Sequence, residues 1–572
     1  MTAPVSQGPE IKNLMMALLV ATAIMFGWQY FYERPRLAQV QAAKAEQAAK
    51  ESAKAAKAPV APKHDASSIE DVTANAPRVR INTPSLHGSI SLIGARFDDL
   101  TLANYKETLD EGSPEVKLLV KANTPDAHFI ELGMLAEQAG MRMPDAKSRW
   151  QTNSTELTVE KPVTLTWSNG QGLRFERKIA IDEHFMFTVT TTVRNDSGDA
   201  VTLYPYGLVS RNYADTNAHT YFMHEGPLGV MGEVLEDITY KALRDENNQK
   251  FPDTSGWIGM TDKYWLTAII PENGKKFDAE YKYFKRGEID AYQADIRGLP
   301  LEIAAGKSEA VTVRLFTGAK VVKHLDNYRD QYQIPLFDRA VDFGTLYFLT
   351  RPIFALLSFF QGHVGNFGVA ILLLTCVIKI LLFPLASKSM TAMSRMKQLN
   401  PKMLEIRERF KDDKMKMNQE IMAMYKREKV NPMSGCLPIL LQLPVFFALY
   451  RVLFVTIEMR HAPFFGWVQD LSVVDPTNIF NLFGLIPWDA PSFLHIGVWP
   501  IIMCITMVIQ QRLNPKPADE IQAAMMNYMP YLFLFMFATF PAGLVIYWAW
   551  NNTLSILQQL YINRQLTKKG LR

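Results

Sequence analysis

A single lysine, Lys379, interrupts the apolar run from Phe367 to Ala386. A charge inside a bilayer span costs a few kcal/mol and normally faces a polar or watery interior rather than lipid. With the third apolar run taken as Cys436 to Ile457, no Asp or Glu lies inside the chain's apolar runs to pair with it. Thr375 sits four residues earlier, on the same helical face. Gln442 is polar amid Leu and Pro in a later span, and the last span carries Tyr547, Trp548, Asn551, Asn552 and Ser555. Together these residues predict a hydrated recess in which one cation holds an anionic or polar guest by charge. Interhelical hydrogen bonding is the plainer reading of each neutral residue taken alone. Ion-coupled transporters generally use intramembrane carboxylates or broken helices, so a cation with no carboxylate in the apolar runs argues against a proton relay.

These residues need spans to hold them. The apolar run Ile11 to Tyr32, ending in Trp28, Tyr30, Phe31 and Tyr32, reads as an uncleaved transmembrane anchor over 1–32. A cleaved signal peptide is the rival reading, from the small-residue spacing of Ala21-Thr22-Ala23, but the apolar run continues past it. An Ala/Lys-rich linker follows over 33–76. Short alternating strands then predict a large all-β sandwich over 77–342. Within it, Val163 to Ser168 and Leu173 to Ile181 read as one hairpin, and Phe185 to Arg194 with Ala200 to Val209 as a second. Val321 to Val341 reads as a helical exit. An amphipathic helix over 343–365 is expected to lie in the membrane interface.

The remaining spans are expected at 366–387, 433–459, 498–512, 526–541 and 543–563, which makes six with the anchor. A hairpin of two helices, about Ser389 to Phe410 and Asp413 to Lys429, is expected in the segment 388–432. A loop over 460–497, a short one over 513–525 and a basic tail over 564–572 complete the chain. Between Lys388 and Asn431 there are twelve Lys and Arg, and the tail and the 513–525 side add more. The positive-inside rule makes that side cytoplasmic, so both termini are cytoplasmic and the β-domain and the 460–497 loop periplasmic. The charges around the first span dissent, but the parity of spans ties the topology to the larger cluster. In the cytoplasmic hairpin, Met393, Met396, Arg395, Lys397, Lys402, Arg407 and Arg409 offer an adaptable apolar and basic surface suited to RNA or anionic lipid. The alternative is that the methionines pack against each other.

Composition excludes several classes. Of 572 residues 48% are hydrophobic, yet the mean hydropathy is −0.04, so a polar part and an apolar part are joined. A net charge of +4 argues against DNA binding driven by bulk charge. The three cysteines, Cys376, Cys436 and Cys504, all fall in apolar spans, so the β-domain needs no disulfide. His219 and the pair His224-Glu225 are its best candidates for chemistry, but their spacing matches no metal motif. No phosphate loop, nucleophile elbow or zinc-protease signature occurs, and neither an enzyme nor a metal or other cofactor is expected.

Several local stretches occur in order: Asn366-Phe367-Gly368; Phe383-Pro384-Leu385 leading to Asn400-Pro401-Lys402; Asn431-Pro432 through Gly435-Cys436 to Gln442-Leu443-Pro444; Ala462-Pro463-Phe464 to Asp470-Leu471-Ser472; and Phe540-Pro541-Ala542-Gly543-Leu544 to Asn552. In these, and in its layout, the chain resembles the YidC family of membrane protein insertases in its Gram-negative form. The resemblance implies a five-helix core around a hydrophilic groove open to cytoplasm and lipid, with substrate spans sliding along the third and fifth spans. It implies a periplasmic β-super-sandwich in a polytopic α-helical protein of the bacterial inner membrane. Implied partners are nascent membrane proteins, SecYEG and SecDF, the ribosome, the signal recognition particle receptor and phospholipids. The family's groove cation matches Lys379, its polar neighbour Thr375, and its last-span aromatic pair Tyr547 and Trp548. Two departures stand out. Lysine replaces the more usual arginine at 379, and Trp548 replaces the more usual tyrosine. The stretch Thr477 to Gly497 is longer than expected and carries no assigned task. Two other classes remain open: a small-molecule secondary transporter using Lys379 as counter-charge, and an anchored periplasmic glycan-binding protein. Deleting residues 80 to 330 separates the last, because insertase activity should largely survive it.

Overall fold

The computed structural model describes residues 76–572 apart from 214–222, 247, 412, 429–436, 483–485, 487–490, 492–494, 514–519 and 569–572. The expected anchor, the linker up to residue 75, His219 and Cys436 lie outside the described residues. Two compact units are present, one ending at Asp342 and the other running from Phe343 to the C-terminus.

In the first unit, alternation drives the strands. Leu173–Ile181 buries every second side chain, with Arg174, Glu176 and Lys178 facing out, the period of a half-buried strand. The described strands form two antiparallel-rich sheets of eleven and nine. Their inner faces interlock, as where the Phe97 and Phe187 rings meet edge-on at 5.4 Å. The first expected hairpin is present, with Ser168 opposite Arg174. Asn169 closes its turn, its Oδ1 accepting the backbone N–H groups of Gln171 (2.7 Å) and Leu173 (2.9 Å).

The second expected hairpin is not one. Met186–Asn195 pairs with Ser308–Ala319 and Leu173–Ile181 in the nine-stranded sheet. Val201–Asn212 pairs with His128–Ala136, Ile289–Gly298 and Leu301–Ile303 in the other. The turn between them is a corner that crosses the sandwich, pinned by fully buried Asn195, whose Nδ2 donates to Ile303 O at 2.9 Å. A short helix α1, Tyr240–Glu246, also interrupts the strands. The helical exit is α2, Val322–Tyr332, and it stops at Gln333 in the left-handed region (φ 53°). A 3-10 turn follows at Phe337–Ala340.

The second unit is helical: α3 Tyr347–Val364, α4 Phe367–Arg409, α5 Lys414–Arg427, α6 Leu437–Val455, α7 Val498–Leu513, α8 Glu520–Phe537 and α9 Ala542–Lys568. Asn366 caps α4, its Oδ1 accepting Val369 N–H at 3.0 Å while its Nδ2 donates to Phe464 O at 3.2 Å. The span expected at 366–387 and the separate helix expected from Ser389 are one 43-residue helix with Pro384 and Pro401 inside it. No glycine or capping pair stops the chain there. Thr391 Oγ1 donates back to Ser387 O at 2.8 Å, and the helix continues past Pro384, which removes one ladder donor and crowds the carbonyl four residues back. Within α4, Phe367–Met396 is long and apolar enough to cross a membrane, and shorter apolar helices cover Gln442–Val455, Val498–Leu513 and Ala524–Phe537. Outward-facing Ile380 and Leu381 on α4, Leu532 and Phe535 on α8, and Leu557 on α9 are exposed, as lipid-facing side chains are.

Candidate functional site

Helices α4 and α9 bring the candidate residues together. Lys379 is half-buried, and its Nζ donates to Ser555 Oγ at 2.7 Å. Ser555 Oγ in turn donates to Asn551 O, one turn back on α9, at 2.8 Å. Among the described residues no carboxylate pairs with this ammonium. A charged donor held by neutral oxygens at a helix seam can still attract an anionic group, and local hydrogen bonding offsets part of its desolvation.

A second polar contact lies across α6 and α9, where the Gln442 amide donates to the buried Tyr547 hydroxyl. Asn552 Nδ2 reaches Thr506 Oγ1 on α7 at 3.3 Å. Buried Asn551 keeps a side-chain oxygen with no partner. Trp548 stands apart from this polarity. Its ring packs edge-on against Phe446 (4.8 Å between centroids) and beside Phe537 (5.0 Å). Thr375 is buried and donates to Ile371 O of its own helix at 2.7 Å, so its hydroxyl is engaged locally.

Three contributors escaped the sequence reading. Gln558 Nε2 donates to the Lys379 carbonyl at 3.2 Å, Trp550 Nε1 to Leu372 O at 3.2 Å, and Thr506 receives Asn552. Gln558 lies one turn beyond Ser555, and that spacing was the available signal.

In the hairpin of α4 and α5, Leu399, Met403 and Met424 form a small core with Met396, Ile406, Ile421 and Tyr425 around it. These methionines pack against each other, while Met415 and Met422 are exposed. Lys402 pairs with Glu428 at 2.9 Å, Arg395 and Arg409 are exposed and Arg407 is half-buried. The side chains of Met393 and Lys397 lie outside the described residues.

The described β-domain candidates, His224 and Glu225, are held in structural contacts. His224 is tied through Nε2, 2.9 Å from Pro227 O, and burial pushes its imidazole below the usual range. Glu225 Oε1 accepts Lys263 N–H at 3.1 Å.

Fold and site define a helical membrane protein with a large β-sandwich domain and a polar seam inside its helices. Residues 78–356 match the family described as "YidC periplasmic domain" and residues 359–569 the one described as "60Kd inner membrane protein". The chain is 47% identical over 561 residues to the membrane protein insertase YidC of Rickettsia bellii (strain OSU 85-389), covering 97% of this chain and 99% of that one. It is 46% identical over 560 residues to that of Rickettsia rickettsii (strain Sheila Smith), with the same coverage. Among solved structures it is similar to an active YidC insertase crystal structure with the first transmembrane domain resolved. That likeness has a TM-score of 0.34 at 16% identity, over 85% of this chain and 95% of that one. The chain belongs to the YidC family of membrane protein insertases. It is an inner-membrane protein with a periplasmic β-domain, and it inserts membrane proteins. Its relatives are named as insertases rather than enzymes.

Proposed function

We propose that the seam between α4, α6 and α9 is the wall of a hydrophilic groove, open to cytoplasm and lipid, in which Lys379 holds the polar end of an arriving membrane protein. The contact of Lys379 with Ser555 at 2.7 Å carries this reading. It keeps an ammonium at a defined position among neutral oxygens, with no carboxylate among the described residues beside it to quench its field. The substrate's apolar span then leaves along α6 and α8, where Leu443, Phe447, Tyr528 and Leu532 are exposed. Burial of that span in lipid, at roughly 25 cal/mol per Å², drives release without a cofactor. Thr375, Gln442, Tyr547, Trp548, Asn551, Asn552 and Ser555 shape the groove.

Five spans (α4, α6, α7, α8 and α9) form the core in this reading, and an N-terminal anchor makes six. Both termini are cytoplasmic. The α4–α5 hairpin, through Met393, Met396, Arg395, Lys397, Lys402, Arg407 and Arg409, meets the ribosome and the signal recognition particle receptor, while SecYEG, SecDF and phospholipids are the membrane partners. The test is insertion of a short single-span protein with an acidic tail into liposomes holding only this chain. Wild type and Lys379→Arg should insert it, and Lys379→Ala should insert it weakly. Insertion indifferent to alanine would remove Lys379 from the mechanism.

A further inference from the structure

The segment joining α6 to α7 has the composition of a membrane surface, not of an aqueous loop. From residue 461 to residue 511 the chain holds no Lys or Arg, and its only acids are Asp470, Asp475 and Asp489. Two of these are turned inward. Buried Asp470 accepts Ser472 N–H and Oγ–H, both at 2.7 Å. Buried Asp475 accepts the Trp467 indole N–H (3.1 Å), Thr477 N–H (3.0 Å) and, through its other oxygen, Trp499 N–H at the start of α7 (2.9 Å). Apart from Gln469, the large side chains that the described residues turn outward are apolar: Phe465, Trp467, Val473, Val474, Leu482 and Ile486 are all exposed. Large exposed apolar side chains gathered in one segment of chain mark an interaction site on a soluble surface.

The backbone suits a wet–dry boundary, where unpaired polar groups are costly. Leu471 N–H bonds Ala462 O (2.9 Å), Ile479 N–H bonds Ile496 O (3.1 Å), and Ala542 and Gly543 at the start of α9 donate to Val473 O (2.7 Å) and Leu471 O (3.0 Å). The loop is therefore stitched to α9 as well as to α7. Helix length supplies the reason. α7 has 16 residues with Arg512 in its last turn, so it spans about 24 Å at 1.5 Å per residue. The hydrocarbon core of a bilayer is about 30 Å thick, and several ångströms of apolar depth are missing at the end where the loop attaches.

We propose that the described residues between His461 and Ile486 are seated in the periplasmic leaflet at the boundary of headgroups and acyl chains. There their aromatic and aliphatic rim makes up the apolar depth that α7 lacks. The occupant of the patch is lipid, because the patch continues covalently from two membrane helices and carries no outward charge among the described residues. Amphipathic helices seat their apolar faces roughly 5–10 Å into that boundary, a depth that large aromatic and aliphatic side chains backed by satisfied polar groups can share. The assignment of the leaflet rests on the topology proposed above.

The test uses the full chain in proteoliposomes, with its own cysteines replaced by alanine and a fluorophore at Phe465→Cys or Leu482→Cys. Leu381→Cys on the exposed face of α4 and Lys117→Cys on the β-domain are the references. Lipid carrying a nitroxide at acyl carbon 5 should quench both loop labels at least half as strongly as it quenches Leu381→Cys, with less quenching from carbon 12 and none at Lys117→Cys. Loop labels quenched by aqueous iodide and not by nitroxide lipid would overturn the proposal. So would labels shielded from both quenchers, which would mean a protein partner or a second copy covers the patch. Lipid quenching is blind to sidedness, so the topology is read separately, by labelling Gln469→Cys with an impermeant maleimide in spheroplasts. Labelling only from the cytoplasmic side would sink the topology and leave the lipid contact standing.

Discussion

Lys379 and Ser555 meet at 2.7 Å although 176 positions separate them in the chain. This contact joins the first and last helices of the proposed core and fixes where the ammonium points. Removing the serine hydroxyl leaves the charge but frees the side chain. Hydrogen bonds to charged groups contribute roughly 1.5–3 kcal/mol, part of which water entering the groove restores. Ser555→Ala is expected to lower insertion of the acidic-tailed substrate about 3- to 10-fold, less than Lys379→Ala does. Equal rates for Ser555→Ala and wild type in the liposome assay would show that the contact does not position the cation.

Gln442 and buried Tyr547 form the other polar link, between α6 and α9. Tyr547→Phe leaves the half-buried Gln442 amide without this acceptor, at a cost toward the low end of the roughly 1–3 kcal/mol of an unsatisfied buried group, because water entering the groove restores part of it. Replacing both, as Gln442→Leu with Tyr547→Phe, removes donor and acceptor together. The double variant should therefore lose less stability than the two single variants combined. Unfolding in mixed micelles of the four proteins measures this coupling, and strict additivity would mean the bond contributes nothing.

Gly368 sits in the first turn of α4, where a Cβ would lie 2.0 Å from Cδ2 of the Phe464 ring. Such contacts force backbone or side-chain shifts that typically cost 1–3 kcal/mol. Asn366 is tied to the same loop through Phe464 O, so the displacement would also pull on the cap. Gly368→Ala is expected to lower the thermal midpoint in detergent by several degrees, and adding Phe464→Leu should restore part of it. A Gly368→Ala protein as stable as wild type would show that the ring moves aside freely.

Much of this architecture was legible because burial leaves a period in the sequence. The strand Leu173–Ile181 was readable to the residue, since its alternation is unbroken and Asn169 to Gly172 mark the turn before it. Partner choice was not readable. Met186–Asn195 and Val201–Asn212 alternate as a hairpin would, yet they join different sheets, because alternation says which face is buried and not which strand lies beside it. The bond from buried Asn195 to distant Ile303 decides the matter, and nothing local announces it. The same limit applies in the helical unit. Lys379, Gln442 and Ser555 stand out as polar residues in apolar runs, but hydropathy does not tell which helix faces meet. Gln558 and Thr506 were therefore passed over, and Trp548, grouped with the polar residues, packs among phenylalanines instead. The break expected near Ala386 failed for a different reason: prolines and a run of basic residues resemble a helix end, while the helix continues past them with one ladder bond unmade at each proline.

Acid should weaken the β-domain through His128, the first residue of the strand His128–Ala136. Its side chain is buried among neighbours that include Arg211. Burial first, and that guanidinium second, push its imidazole down to about 3. In the unfolded chain a histidine titrates near 6.5. Between these values the unfolded state takes up a proton that the folded state refuses. Stability present at neutral pH is therefore lost as pH falls below 6.5, at about 1.4 kcal/mol per pH unit. By pH 5 the loss from this residue is about 2 kcal/mol, or roughly 30-fold in an opening equilibrium. His324, pushed to about 4 by burial and by neighbouring His184, acts in the same sense, but it is only half-buried and contributes less. Asp98 and Asp295 oppose both, since burial raises their carboxyl groups, so a single substitution is the clean readout. Hydrogen exchange of the amides paired between His128–Ala136 and Val201–Asn212, measured in the full chain at pH 7 and pH 5 and corrected for intrinsic rates, should show the acid-induced opening. His128→Gln has no proton to gain and should flatten that dependence, while an unchanged acid response in this variant would place its origin elsewhere in the sandwich.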